Sequence, residues 1–170
     1  MNDYSDVLQV IGAMLLVSLL VQSANRSNLA NTQLLISNEY EVGVTAIAQD
    51  IMEESRVLAF DEETVTGFVP VNIPSDFSNI GLDGSENGNN KNTFDDFDDY
   101  DGYTGTVTTD LGSFDVEISV YYLDDSYNST NSKTTLKEMS ITISNQYLTE
   151  NDGTTLKRYT FTTIRSYYAE

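Results

Sequence analysis

Between Val7 and Val21 the chain reads VLQVIGAMLLVSLLV, fifteen residues without a charge, and no proline occurs before Pro70. At about 1.5 Å per helical residue this run covers only about 22 Å, short of a hydrocarbon core of roughly 30 Å. Extending it from Tyr4 to Ala24 reaches the required length but enlists Asp6, Gln9, Ser18, Gln22 and Ser23, none of which is comfortable in lipid. Three readings compete: a secretory signal peptide, the buried core helix of an ordinary soluble protein, and a membrane helix that later packs against copies of itself. A signal peptide begins with basic residues, whereas here Asp3 and Asp6 precede the apolar run and the first basic residue is Arg26.

The residues beyond the run favour the third reading. Leu29, Ile36, Tyr40, Val44, Ile47, Ile51 and Leu58 recur at spacings of three, four and seven, with Asn31, Glu39, Glu41, Gln49, Asp50 and Glu53 opposite them. The pattern predicts one helix from about Val7 to Phe60, apolar all round at first and amphipathic afterwards. Its length, roughly 80 Å, exceeds the diameter of a small domain, so part of it is expected to protrude and find partners elsewhere. Gly12 and Gly43 are its soft points, and Gly12 also permits close approach of a neighbouring helix. Contact between copies is assigned to Gly12, Leu15, Leu16, Leu19 and Leu20.

The stretch 61–105 is different in kind: it holds both prolines, the segment GLDGSENGNNKN and an acidic run, which is loop composition. Strand periods then begin. Phe114, Val116, Ile118, Val120 and Tyr122 alternate with polar residues, Val107–Thr109 precede them through an Asp110-Leu111-Gly112 turn, and Met139, Ile141 and Ile143 mark a second long strand. Tyr159, Phe161 and Thr163 mark another, joined to it by a hairpin turn at Asn151-Asp152-Gly153. The expected organisation is therefore an apolar helical segment (1–25), the amphipathic half of the same helix (26–60), a polar and acidic loop region (61–105) and an antiparallel sheet of about four strands (106–170). The fold class is α+β, with the amphipathic half-helix laid across the apolar face of the sheet.

Twenty-seven acidic against eight basic residues give a formal net charge of −19, which repels phosphate backbones and predicts no nucleic-acid partner. With no His and no Cys, the chain lacks an imidazole for acid–base work, a thiolate nucleophile and soft ligands for zinc, haem or iron–sulfur clusters. An enzyme is not expected. Asp95, Asp96, Asp98, Asp99 and Asp101 place five carboxylates within seven residues, a density of hard oxygen ligands that suits Ca²⁺. The run is not an EF-hand, since placing Gly102 sixth puts Phe97 first. The competing reading is a solvated acidic turn anchored to the core by Phe94, Phe97 and Tyr100.

Three stretches carry a resemblance that covers almost the whole chain: AQDIMEESRVLAFD (48–61) at the expected helix exit, FDDFDDYDGY (94–103), and LKEMSITIS (136–144). With the long helix, apolar first and amphipathic second, they resemble the type IV pilins and secretion pseudopilins. The resemblance implies a structural subunit of an extracellular helical filament. Such a subunit is held in the inner membrane before assembly, polymerises with itself through its N-terminal helix, and is served by a pilus or secretion assembly machinery. Members of that class carry a glutamate at the fifth position of the mature chain, following a basic leader, and this glutamate meets the N-terminal amine of a neighbouring subunit. Here position five is Ser5 and no basic leader is visible, so either Met1 is the mature first residue or the branch is not processed that way. Asp6 is the preferred stand-in for the glutamate and Asp3 the second choice. Both acids also suit a helix N-terminus on dipole grounds alone.

Overall fold

The computed structural model describes residues 3–84, 86–150 and 153–169, so Met1 and the Asn151-Asp152 turn lie outside the described residues, as does the side chain of Asp3. One helix, α1 (Asp3–Arg56), is followed by an antiparallel sheet of β1 (Thr104–Thr109), β2 (Gly112–Leu123), β3 (Ser129–Thr130), β4 (Leu136–Thr149) and β5 (Leu156–Ser166). The layout is α+β, as the sequence predicts. The chain divides into two units, Met1–Tyr40 and Glu41–Glu170.

The first unit is helix alone. Val7, Leu8, Val10, Ile11, Met14 to Val17, Leu19, Leu20 and Val21 are all exposed, as are Leu29, Leu34, Leu35 and Ile36. Ser18 and Thr32 lower the cost of their hydroxyls by donating them to the carbonyls of Met14 and Asn28, at 2.8 and 2.9 Å. A side chain built at Gly12 would meet nothing within 4 Å. The helix has the length and apolar character to cross a membrane.

The second unit has a core. Val44, Ile47, Ala48 and Ile51, one stripe of the last turns of α1, are buried, together with the inward faces of β2 (Phe114, Val116, Ile118, Val120, Tyr122) and β4 (Met139, Ile141, Ile143). Gly43 has a local reason: a Cβ there would stand 3.1 Å from Leu111 Cδ1 and 3.3 Å from Phe114 Cζ. The apolar stripe predicted from Leu29 to Leu58 is thus buried only from Val44 to Ile51, while Leu29 and Ile36 remain exposed.

The sheet order is β1-β2-β4-β5, with β3 pairing β2 beside that path. The β1–β2 hairpin closes on Thr109↔Gly112, the Asp110-Leu111 turn that the sequence marks. Strands β2 and β4 pair through Ile118↔Ile141 and Val120↔Met139, which brings the two apolar faces into one layer. Strand β5 pairs with β4 through Ile141↔Phe161, with a register shift between Ser144 and Thr149.

α1 ends at Arg56, four residues before the predicted Phe60. Arg165 of β5 holds the helix end and the residues just past it: its Nη1 donates to Ser55 O at 3.1 Å and Ala59 O at 3.0 Å, and its Nη2 donates to Leu58 O at 2.6 Å. The guanidinium therefore supplies donors that the helix itself cannot.

Candidate functional site

Residues 57–61 leave the helix through a turn and bends, and Ala59 forms an isolated bridge with the acidic run. Its N–H donates to Asp95 O at 3.1 Å and its carbonyl accepts from Phe97 N at 3.0 Å. This short bridge sets the helix exit beside residues 95–98. Strand β4 contributes the third party, because Lys137 is in phase with Met139, Ile141 and Ile143 and so points inward.

Lys137 is 0% exposed. Its ammonium donates to Phe60 O at 2.9 Å, to Asp61 Oδ2 at 2.8 Å and to Asp98 Oδ1. It also lies over the rings of Phe60 and Tyr122, with centroids at 4.7 and 5.1 Å. A buried ammonium is tolerable only when paired and hydrogen-bonded, and here two carboxylates, one carbonyl and two aromatic faces meet that need.

The two aspartates are held differently. Asp61 Oδ1 accepts from Glu63 N at 3.3 Å and Ser78 N at 2.7 Å, while Oδ2 accepts from Tyr122 Oη at 3.1 Å and Ser78 Oγ at 3.3 Å. A box with Thr64 Oγ1, which accepts from Asp61 N at 3.2 Å, fixes the backbone. Asp98, in contrast, has its Oδ1 on Lys137 and its buried Oδ2 without a hydrogen-bond donor among the described residues. Burial raises the Asp98 carboxyl to about 6 against the pull of Lys137. Its neighbour Asp96, 1% exposed, is pushed up to about 9, first by burial and then by the charge of Asp98. Asp96 Oδ1 accepts from Asp98 N at 2.8 Å and Asp99 N at 3.2 Å, which folds the run into a tight turn.

The five aspartates of the sequence-predicted cation site are thereby dispersed. Asp98 faces Lys137, and Asp101 Oδ1 accepts from Val120 N at 2.8 Å, tying the run to β2. Asp99 Oδ2 accepts from Asp95 N at 2.8 Å and Asp96 N at 3.0 Å. Phe94, Phe97 and Tyr100 are buried, as the anchored-turn reading expects, but the turn is not solvated as that reading has it, since Asp96, Asp98 and Asp99 are buried with them. The carboxylates whose oxygens gather within 4.8 Å of one another form two triads, Glu62, Asp83 and Asp96, and Glu86, Asp95 and Asp99. Among the described residues these are the groups with the spacing to hold a cation. Half of them, Glu62, Asp83 and Glu86, come from the loop before the acidic run, where sequence reasoning saw only polar composition. Their crowding raises Glu86 to about 7, chiefly through burial and then through Asp99. Glu62 and Asp95 are also raised, by burial first and by neighbouring acids second.

Of the predicted assembly residues, Leu15, Leu16, Leu19 and Leu20 are each more than half exposed, and Asp6 stands in the exposed first part of α1. Asp3 is helical, and its side chain lies outside the described residues. The chain thus has two candidate sites of different kinds, an uncovered apolar helix surface in the first unit and a sealed ionic centre in the second. No protein-family model matches this chain, and no curated protein or solved structure matches it significantly.

Proposed function

We propose that this chain is a structural subunit of an extracellular helical filament, held in a membrane before assembly and polymerising through the first part of α1. The observation that carries this reading is the apolar surface from Val7 to Val21, which nothing in the described chain covers. An uncovered surface of this kind needs lipid or other protein. A plain anchor would account for about 20 apolar residues, but this segment also carries Asp6, Gln9, Ser18 and Gln22, which gain more from a packed helix bundle than from hydrocarbon. A repeating contact between different faces of the same helix gives an open polymer instead of a closed ring. The pilin-like motifs add support: the three stretches 48–61, 94–103 and 136–144 each supply a member of the Lys137 centre, through Phe60 and Asp61, Asp98, and Lys137 itself. Within the same class the chain fits a major subunit, a minor pilin or a secretion pseudopilin.

Negative-stain microscopy of the purified full chain tests the reading, and the expected result is fibres. Asp6→Ala tests the pairing of that carboxylate with a neighbouring subunit: fewer filaments are expected, and unchanged assembly would sink the pairing. A second reading, a membrane-anchored monomer whose surface domain binds Ca²⁺ or another ligand, is favoured by the two carboxylate triads. A chain lacking residues 1–25 that stays folded and binds calcium, while the full chain never forms fibres, would select this second reading.

A further inference from the structure

We propose that Lys137 and Asp98 condense into an internal amide cross-link, Nζ of the lysine joined to Cγ of the aspartate, with Asp96 carrying the proton. The inference does not depend on the filament reading. Its first support is enforced contact in a sealed place, because Lys137, Asp98 and Asp61 are each 0% exposed and the rings of Phe60 and Tyr122 close over the amine. Reacting groups held together in this way need no bimolecular encounter. The aromatic walls also exclude the water that would reverse the reaction.

The second support is the unequal treatment of the two acids. Both oxygens of Asp61 are engaged, accepting from Glu63 N, Ser78 N, Ser78 Oγ and Tyr122 Oη besides the amine. Asp98 has one oxygen on the amine and one buried oxygen that no N–H or hydroxyl of the described chain reaches. A native interior seldom keeps such an atom. Condensation removes it.

The step balances without a cofactor. The carboxyl of Asp96, 1% exposed, adjoins Asp98. It hands a proton to Asp98 Oδ2 and takes one from Nζ. The freed amine attacks Cγ, the Nζ–Cγ bond forms, a second proton passes from Nζ to the departing oxygen, and the Cγ–Oδ2 bond breaks. Oδ2 leaves as water carrying one proton from Asp96 and one from Nζ, and Asp96, refilled by the other proton lost from Nζ, ends as it started. Asp61 takes no part in the transfer and holds the amine in place through Oδ2.

The test is the intact mass of the full chain, purified in detergent and measured under denaturing conditions. The expected mass is that of the sequence less one water, and a lysine-specific protease should fail to cut after Lys137 and should release the peptides containing Asp98 and Lys137 joined. Asp-Gly steps such as Asp83-Gly84 and Asp101-Gly102 lose the same mass by cyclising, so Lys137→Arg provides the control and should run at full mass. Asp96→Asn should also run at full mass if Asp96 carries the proton. Full mass in the folded unsubstituted chain overturns the cross-link. A deficit that persists in Lys137→Arg overturns it equally. A deficit that persists only in Asp96→Asn overturns the role of Asp96.

Discussion

The first forty residues and the remainder of the chain solve opposite problems with the same alphabet. In the first unit leucine, valine and isoleucine face outward and the helix satisfies its own backbone, so nothing inside the chain needs that surface. In the second unit the same residue types face inward, and the least expected side chain, a lysine, joins them at 0% exposure. Apolar character alone therefore does not mark a core. What decides is whether a complementary layer exists within the chain, and α1 finds one only where its stripe from Val44 to Ile51 meets β2 and β4.

The contrast can be broken most forcefully at its outer half. Leu15→Asp with Leu16→Asp should cost about 6 kcal/mol for residence in a membrane or an apolar bundle, at roughly 3 kcal/mol per acid. The expected outcome is loss from the membrane and filament fractions with unchanged melting of the sheet unit. Altered melting would show that the two units share one cooperative transition.

Lys137→Met strikes the other half. Removing the amine, and with it the proposed link to Asp98, leaves Asp61 and Asp98 buried with no counter-charge, a loss of at least roughly 3–5 kcal/mol that denaturant unfolding should register, while membrane association is retained. A loss near zero would mean that the centre admits water.

A smaller effect is expected from pH. Asp96 is raised from an ordinary 3.8 to about 9 and Glu86 from 4.5 to about 7, so the native state holds protons that the unfolded chain releases. Their stabilising contribution is fully present below the ordinary values and is lost as pH rises through the raised ones. Glu41 and Asp124, which hydrogen bonds hold below 4.5 and 3.8, act in the opposite sense and only in more acid solution. Melting temperature should therefore fall between pH 5 and pH 9, and Asp96→Asn should flatten the slope. A rising curve would contradict the assignment.

The least effect is expected at the surface pair of Arg158 and Glu117, whose side chains are 52% and 56% exposed. Arg158→Ala should change stability by less than about 1 kcal/mol. That small change would sharpen the contrast with Lys137, which faces two buried acids where Arg158 faces one exposed acid.

The parts of this fold that could be read from sequence are those where a period and a partner coincide. Alternation in β2 and β4 named their buried residues because every second side chain must face the same layer. Strand β1 was only partly legible, because Thr104, Gly105 and Thr106 carry no apolar alternation and are held by pairing with β2. The helix stop at Arg56 escaped the pattern because Ala59, just after it, answers to Asp95 and Phe97, far along the chain. Lys137 did leave a signal, being in phase with Met139, Ile141 and Ile143, yet hydropathy assigns a lysine to solvent unless two acids distant in sequence are known to meet it. The triads were hidden for the same reason: Asp83 and Glu86 join the acidic run only through the fold of the loop.

The hold that Arg165 keeps on the end of α1 has a consequence for the order of events during synthesis. The carbonyls of Ser55, Leu58 and Ala59 wait for a guanidinium that lies near the end of the chain. Until β5 has been made, the end of the helix lacks these donors and the sheet lacks its last strand. Translation therefore completes the apolar segment well before the domain that comes after it can fold.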